Sequence, residues 1–131
     1  MNFDAVGRDS KGRMYMKFHK PFNPLEKIQL LQRSILVNSF AYYELNENIL
    51  SDFQYDTNAK QLAVLKKEYP EEFKRSRYYE YFHDFCCEDD GTTNTSGFDL
   101  IDRVRRADPK LYRYIHMDAA WALDLKYRRP E

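Results

Sequence analysis

Two aromatic and two acidic side chains are concentrated in one short stretch of the chain, at positions 42, 52, 55 and 56. They are Tyr42, Asp52, Tyr55 and Asp56. Aromatic faces attract cations through their π electrons. Carboxylates add charge complementarity and accept hydrogen bonds from N–H and O–H groups. These residue types predict a site for a flat, cationic ring that carries an amide.

The first element that positions these side chains is a predicted helix that begins after residue 23. Asn23 is a good N-cap, Pro24 suits the first helical position, and Glu26 stands where a capping box places its acidic residue. Apolar side chains recur at helical spacing from Ile28 onward. The helix is expected to run to about Leu45 and to bury this stripe.

A second helix is predicted directly after a short polar turn at 46–48. Ser51 as N-cap and Gln54 three positions later repeat the capping-box pattern, and Asp52 suits the positive end of the helix dipole. Pro70 is expected to stop this helix. A short connection between two long helices predicts an antiparallel hairpin, with the candidate site at its corner.

The remaining segments complete a predicted all-α fold, a compact helical domain over residues 23–131. One short helix and then an extended segment are expected over 71–85, followed by a loop at 88–97. Further helices are expected over 98–106 and from the capping pair Asp108-Pro109 to Leu125. Residues 1–22 are predicted to form either a flexible arm or a small β-hairpin, because 3–6 and 13–18 alternate like strands around the turn-rich 7–12.

The bulk composition of the 131 residues excludes several classes of function. The formal net charge is zero, so no overall field attracts the chain to nucleic acid or to a membrane. No apolar run approaches the roughly 20 residues that a membrane span needs. The only two cysteines, Cys86 and Cys87, are neighbours that cannot cross-link distant parts of a fold, and the N-terminus lacks a signal-peptide core. A cytoplasmic location is expected.

The segment 28–70 resembles the small N-terminal helical domain of bacterial NAD-dependent DNA ligases. In that family two tyrosines, or a tyrosine and a histidine, end one helix, and after a short acidic linker Ser/Pro-Asp-x-x-Tyr-Asp opens the next. This chain has Tyr42-Tyr43, then a linker over 44–50, then Ser51-Asp52-Phe53-Gln54-Tyr55-Asp56, and a leucine-rich helix that ends at a proline. The resemblance covers about a third of the chain.

The resemblance implies a ligand and a role for each matched residue. The family's domain recognises the nicotinamide mononucleotide half of NAD. By that resemblance Tyr42 and Tyr55 are the rings that sandwich nicotinamide, and Asp52 and Asp56 are its polar contacts. Tyr43 takes the place that is tyrosine or histidine in the family. NAD or nicotinamide mononucleotide is therefore the expected ligand, with no metal.

The chain also departs from the ligases. No Lys-x-Asp-Gly motif occurs in it, and no room follows residue 70 for the catalytic modules, so we expect no enzymatic activity. The whole chain more closely resembles short phage and prophage proteins related to DNA ligase, which follow the hairpin with a Tyr-rich segment and a Gly-Ser/Thr-x-Gly-Phe element. That element appears here, with an insertion, as Gly91-Thr92-Thr93 and Ser96-Gly97-Phe98.

Several alternatives stay open beside the nicotinamide hypothesis. The tyrosines can simply be core residues, and Asp56 can be a helical partner of Lys60. The 91–97 loop can bind phosphate. His83, Cys86, Cys87 and His116 are metal-ligand types without a common zinc spacing.

Two alternative functions belong to other classes. The first is a phage protein that uses the ligase-like hairpin to bind and inhibit a host defence protein, with the tyrosines as an exposed hot spot. The second is a DNA-binding accessory protein that uses the arginine-rich C-terminal third. For that third of the chain we favour a salt-bridged surface over a nucleic-acid site, because aspartates are interspersed with the arginines.

Overall fold

The computed structural model describes residues 23–86 and 95–127, together with the backbone of 6–8 and 14–16. In these ranges two strands precede six helices: β1 (Val6–Arg8), β2 (Met14–Met16), α1 (Pro24–Glu44), α2 (Asp52–Glu68), α3 (Pro70–Lys74), α4 (Tyr79–Phe82), α5 (Gly97–Ala107) and α6 (Pro109–Tyr127). The all-α prediction is confirmed.

The two strands form a small antiparallel hairpin. Val6 lies opposite Met16, and Arg8 lies opposite Met14. The β-hairpin alternative is therefore confirmed at the level of the backbone. β1 includes Gly7 and Arg8, which composition had assigned to the turn. The rest of the predicted arm, 1–5, 9–13 and 17–22, lies outside the described residues, and the boundary between 22 and 23 stays a prediction.

Side-chain caps start the two long helices where the sequence predicted. The Asn23 side chain accepts a hydrogen bond from the Glu26 backbone N–H at 3.2 Å. At α2 both halves of the capping box are present: Ser51 Oγ accepts from the Gln54 N–H at 3.2 Å, and Gln54 Oε1 accepts from the Ser51 N–H at 3.1 Å. These bonds satisfy N–H groups that the first turn leaves without a helical partner.

The connection between α1 and α2 is a folded turn that makes the helices antiparallel. Asn46 adopts a left-handed conformation with φ of 56°, which asparagine tolerates better than most residues, and the Glu47 N–H donates back to the Ala41 carbonyl at 3.0 Å. Near the turn, Ser39 contacts Tyr55, whereas Lys27 lies in one surface cleft with Leu65. The two helices therefore run in opposite directions, as predicted.

Helix α1 is the centre of the molecule. It packs against α2, α5 and α6, and α1 contributes more residues to the core than any other described helix. The buried apolar residues form one cluster: Ile28, Leu31, Ile35, Leu36, Phe40, Ala41, Ala59, Leu62, Leu65, Phe73, Tyr78, Tyr81, Phe82, Phe85, Leu100, Ile101, Val104, Ile115 and Ala119. This packing holds the end of α1, the start of α2 and the start of α5 next to one another.

The prediction of an extended segment within 71–85 is wrong. Pro70 does stop α2, but it also begins α3, and a further short helix, α4, follows at Tyr79–Phe82. The buried aromatic residues Tyr78, Tyr81, Phe82 and Phe85 are spaced i, i+3, i+4 and i+7, which is a helical and not an alternating period.

The two C-terminal helices are capped like the first two. Ser96 Oγ accepts from the Asp99 N–H at 3.1 Å, so α5 begins at Gly97, one residue before the predicted start. Asp108 Oδ1 accepts from the Leu111 N–H at 3.0 Å ahead of α6. Most of the predicted 88–97 loop, residues 88–94, lies outside the described residues. None of the helices described is long and apolar enough to cross a membrane.

Candidate functional site

All five residues predicted for the site line one cavity of about 400 Å³. We call it the hairpin cavity. It lies between the last turns of α1, the α1–α2 turn, the first turn of α2 and the start of α5. Its lining is Asn38, Ser39, Tyr42, Tyr43, Asn48, Ile49, Leu50, Asp52, Tyr55, Asp56, Ser96 and Gly97.

The two tyrosines at the end of α1 form the exposed wall of the hairpin cavity. Tyr42 is 53% exposed and Tyr43 is 46% exposed. Their rings meet edge to face, with centroids 4.8 Å apart and planes at 82°. Tyr43 also contacts Phe98 of α5 edge to face at 6.0 Å. The core interpretation therefore does not apply to Tyr42 and Tyr43, because both rings are open to solvent.

Tyr55 forms the inner wall, and its side chain is held in place by a hydrogen bond and by packing against α1. Its hydroxyl is hydrogen-bonded to Ser39 Oγ at 2.9 Å, and its side chain is half-buried against α1. Burial raises the pKa of the Tyr55 phenol above its ordinary value, and the nearby Tyr43 and Asp56 act in the same direction, against the Ser39 hydrogen bond. The phenol thus stays protonated at neutral pH and is a fixed surface rather than a base.

Asp52 and Asp56 bring negative charge to the cavity from consecutive turns of α2. Both side chains are exposed, and their spacing of four residues places them on one face of the helix. Within the described residues neither carboxylate takes part in an ion pair, so the Asp56–Lys60 alternative is not observed. Both are available to a cation in the cavity.

The predicted sandwich between Tyr42 and Tyr55 stays a prediction. Both rings line the hairpin cavity. In the described part of the chain, the ring that Tyr42 contacts directly is Tyr43. Tyr43 is thus the immediate neighbour of Tyr42 as well as a lining residue in its own right.

The sequence interpretation missed the contribution of α5. Ser96 and Gly97 line the hairpin cavity although they lie some forty positions beyond Asp56 in the chain. A Cβ atom on Gly97 would lie 2.5 Å from Ser39 Oγ and 3.0 Å from a ring carbon of Tyr43. Glycine therefore permits a close approach of α5 to α1. The spacing of Ser96 and Asp99 indicates where α5 begins. It does not indicate which other elements lie beside that helix start.

It also missed two polar residues on α1. Asn38 and Ser39 precede Tyr42 and Tyr43 by four positions each, which places them one helical turn away on the same face. Both line the hairpin cavity. The four-residue spacing was the signal that could have found them, since a site at the end of a helix extends back along that face.

The charge of the lining is one-sided. Among the twelve lining residues that the structure describes, two are carboxylates, and none is lysine, arginine or histidine. The first turns of α2 and α5 both border the cavity, and helix N-termini carry a partial positive charge. The described side chains therefore favour a cationic group.

The other candidate chemistry does not assemble into a second site within residues 23–86 and 95–127. In these ranges no group of three or more His, Cys, Asp or Glu side chains could hold a metal ion. His116 stacks on Phe40 with centroids 4.9 Å apart, and Cys86 is exposed. Cys87 and most of the 91–97 element lie outside the described residues, so the phosphate hypothesis for that loop stays a prediction.

Several C-terminal arginines are paired with carboxylates. Arg103 binds Asp84 through two hydrogen bonds of 2.8 and 2.9 Å, and Arg105 and Arg106 both pair with Asp102. The Arg103 guanidinium lowers the pKa of the Asp84 carboxyl to about 2. Ion pairs of this kind were expected for the C-terminal third, and the preference over a nucleic-acid site stays a prediction.

The fold and the hairpin cavity define an all-α protein with a candidate small-molecule site at a helix corner. Over 48 residues the chain is 40% identical to the DNA ligases of two strains of Porphyromonas gingivalis. The match covers 37% of this chain and 7% of each ligase. No family model matches the chain, and no solved structure matches it significantly. The chain therefore contains a segment related to DNA ligase.

Proposed function

We propose that this protein is a non-catalytic binding protein that recognises NAD or nicotinamide mononucleotide in the hairpin cavity. The observation that carries the proposal is that Tyr42, Tyr43, Asp52, Tyr55 and Asp56 all line one cavity. A volume of about 400 Å³ falls in the range of small-ligand pockets.

The chemistry of the walls matches oxidised nicotinamide. The ring is a flat cation, so contact with the faces of Tyr42 and Tyr55 gains a cation–π contribution of roughly 0.5–2 kcal/mol. Asp52 and Asp56 supply the opposite charge and accept hydrogen bonds from the amide or the ribose. Because Tyr55 is fixed by its hydrogen bond to Ser39, that wall is already in place before a ligand enters.

Absence of catalysis is part of the proposal. Within residues 23–86 and 95–127, the lining offers no lysine for a covalent adenylate and no histidine or cysteine. The carboxylates and the protonated Tyr55 phenol supply binding surfaces, without the nucleophile and base pair that hydrolysis or transfer requires.

The test is thermal unfolding with nicotinamide mononucleotide, NAD and ADP-ribose. Binding to the folded state alone raises the free energy of unfolding by about 2.7 kcal/mol when the ligand exceeds its dissociation constant a hundredfold. We expect the first two ligands to stabilise the protein and ADP-ribose to have little effect, because it lacks the cationic ring. The Asp56→Ala variant should lose most of the shift, whereas Glu68→Ala, at the far end of the same helix, should keep it.

A second candidate function is binding to a host protein, with the chain acting as a phage-encoded inhibitor of a defence protein. The observation that favours it is the exposed aromatic cluster of Tyr42, Tyr43 and Phe98, each roughly half exposed. Exposed tyrosines are frequent binding hot spots. If no nicotinamide ligand shifts the unfolding temperature, while one host protein binds stoichiometrically and is released by Phe98→Ala, this function replaces the first.

A further inference from the structure

Helix α6 has a row of apolar side chains on the side that does not pack into the core. Its core side includes Ile115 and Ala119, which are both fully buried. The other side holds four large apolar residues that are each 45–66% exposed: Tyr114, Met117, Trp121 and Leu125. Their spacing of three or four positions places them on one side of the helix. We call this row the α6 stripe.

The α6 stripe is more than a scatter of exposed residues. A single exposed apolar side chain is ordinary, whereas the largest contiguous apolar patch on a monomer is often an interaction site. Two aromatic and two aliphatic side chains, each about half exposed or more, give the α6 stripe roughly 400 Å² of apolar surface. A surface helix normally has one apolar side and one polar side. The second apolar side of α6 is therefore suited to a partner surface.

The charges beside the α6 stripe make it complementary to itself. Arg113 and Asp124 lie eleven positions apart, which is about three helical turns, so both flank the same edge of the stripe. They lie near its two ends, about equally far from the midpoint between Met117 and Trp121. If two copies of α6 pair antiparallel about a two-fold axis at that midpoint, each Arg113 faces the partner's Asp124. A two-fold interface forms both of these contacts at once.

The area and the net charge also favour a second copy of the chain as the occupant. Two stripes supply roughly 800 Å² of apolar surface, and a polar rim extends this toward the roughly 1,200–2,000 Å² that specific interfaces bury. The formal net charge of the chain is zero, so no overall repulsion opposes the association of two copies.

We propose that the protein forms a two-fold symmetric dimer in which the α6 stripes of two copies pack against each other in antiparallel orientation. The register set by the charges brings Trp121 next to the partner's Met117, near the axis. Tryptophan at the centre of an interface is a frequent binding hot spot. None of the described residues that line the hairpin cavity belongs to α6, so association and ligand binding can be measured independently.

Tryptophan fluorescence and sedimentation equilibrium of the full chain test the dimer together. Trp121 is the only tryptophan of the chain, so its emission reports directly on the α6 stripe. We expect the mass of a dimer and an emission maximum at a shorter wavelength than that of a water-exposed tryptophan. A monomer with short-wavelength emission would mean that another segment of the chain covers the stripe. A monomer with the emission of an exposed tryptophan would leave the stripe to a different protein, and either result overturns the dimer.

Met117→Glu tests the apolar contact. It places an uncompensated charge in the middle of the α6 stripe, so we expect the dissociation constant of the dimer to rise at least about tenfold. The tryptophan emission should then move to longer wavelength. Leu30→Glu is the matched control, because Leu30 is 69% exposed on α1, and it should leave mass and emission unchanged. A dimer that persists unweakened in Met117→Glu overturns the proposed interface.

Charge reversal tests the antiparallel orientation. Arg113→Asp and Asp124→Arg each place like charges opposite one another at both ends of the interface. We expect either change to raise the dissociation constant of the dimer roughly two- to thirtyfold, and the double variant to restore it. Along one helix the two positions lie about 16 Å apart, so the restoration can arise only between copies. A double variant weakened by the combined effect of both changes overturns this orientation.

Discussion

At the scale of single residues, the site depends on side chains that hold each other in place. Tyr55 is fixed by Ser39, and Ser39 in turn lies against Gly97. The five predicted site residues came from the resemblance to the DNA ligases, and they lie within two short helix ends, where local spacing determines which side chains share a face. Ser39 and Gly97 were not, because their contact joins positions that are distant in the chain.

Gly97→Ala tests the close approach of α5 to α1. In a helix without neighbours this change would stabilise by up to about 1 kcal/mol, because alanine is the better helix former. The added Cβ meets Ser39 Oγ at 2.5 Å, so we expect a loss of about 1–3 kcal/mol instead, with Gly97→Ser costing more still. Urea unfolding measures both variants, and a Gly97→Ala protein at least as stable as the original would contradict the packing.

At the scale of elements, the helix starts are the best predicted part of the fold. Asn23, Ser51 and Asp108 each cap a helix at the position that the sequence indicated. The segment 71–85 was predicted less well, because its aromatic residues were assigned to an extended segment that packs across the α1–α2 hairpin. Tertiary contacts also hold this segment, because Lys66 Nζ of α2 donates to the His83 and Phe85 carbonyls directly after α4.

Ser51→Ala should weaken both the fold and the site. Loss of the cap costs about 1 kcal/mol, and it loosens the turn of α2 that carries Asp52, Tyr55 and Asp56. Asn23→Ala is the matched control, since it removes a cap from α1 at the end remote from the hairpin cavity. We expect similar losses of stability in the two variants by thermal unfolding, but weaker nicotinamide mononucleotide binding only in Ser51→Ala. Equal binding in both would show that the cap does not position the site.

The Asp84–Arg103 pair predicts a dependence of stability on pH. The pKa of Asp84 is lowered in the folded protein to about 2, below the value of about 3.9 that it takes in an unfolded chain. Its contribution to stability is therefore complete above pH 4 or so and is lost as the pH falls toward 2. Because the Asp84 side chain is 43% exposed, this contribution is expected to be below about 1 kcal/mol.

Asp84→Asn should accordingly flatten the fall in stability between pH 4 and pH 2. Urea unfolding across this range measures the slope. Glu71→Gln, which removes the carboxylate from an exposed helical pair with Lys74, serves as the control and should retain the slope of the original protein. An unchanged slope in Asp84→Asn would mean that the pair does not persist in solution.

At the scale of the whole molecule, the ligase-related segment is built into a larger helical frame. The lining of the hairpin cavity spans residues 38 to 97, which is longer than the 48-residue match to DNA ligase. At least part of the cavity is therefore formed by residues outside that match. Helices α5 and α6 pack on the same central helix α1 as α2 does. The helix that carries Tyr42 and Tyr43 is therefore packed against three other helices.

Contacts between elements that are distant in the chain explain why the function was harder to predict than the fold. Periodicity and caps depend on neighbours in the chain, and they located the helices. The depth, charge and volume of a cavity depend on which distant elements meet, and the sequence pattern alone did not indicate that α5 would form one wall. The last turn of α6 also reaches the α1–α2 turn, where the Tyr127 hydroxyl donates to Glu47 at 2.7 Å.

The most direct measurement is isothermal titration calorimetry of the full chain with nicotinamide mononucleotide. We expect saturable binding of one ligand per chain, weakened roughly two- to thirtyfold in Tyr42→Ala. We expect no change in Tyr114→Ala, which removes a comparably exposed tyrosine from α6. A flat titration of the original protein, or equal binding by both variants, would contradict nicotinamide mononucleotide recognition at the hairpin cavity.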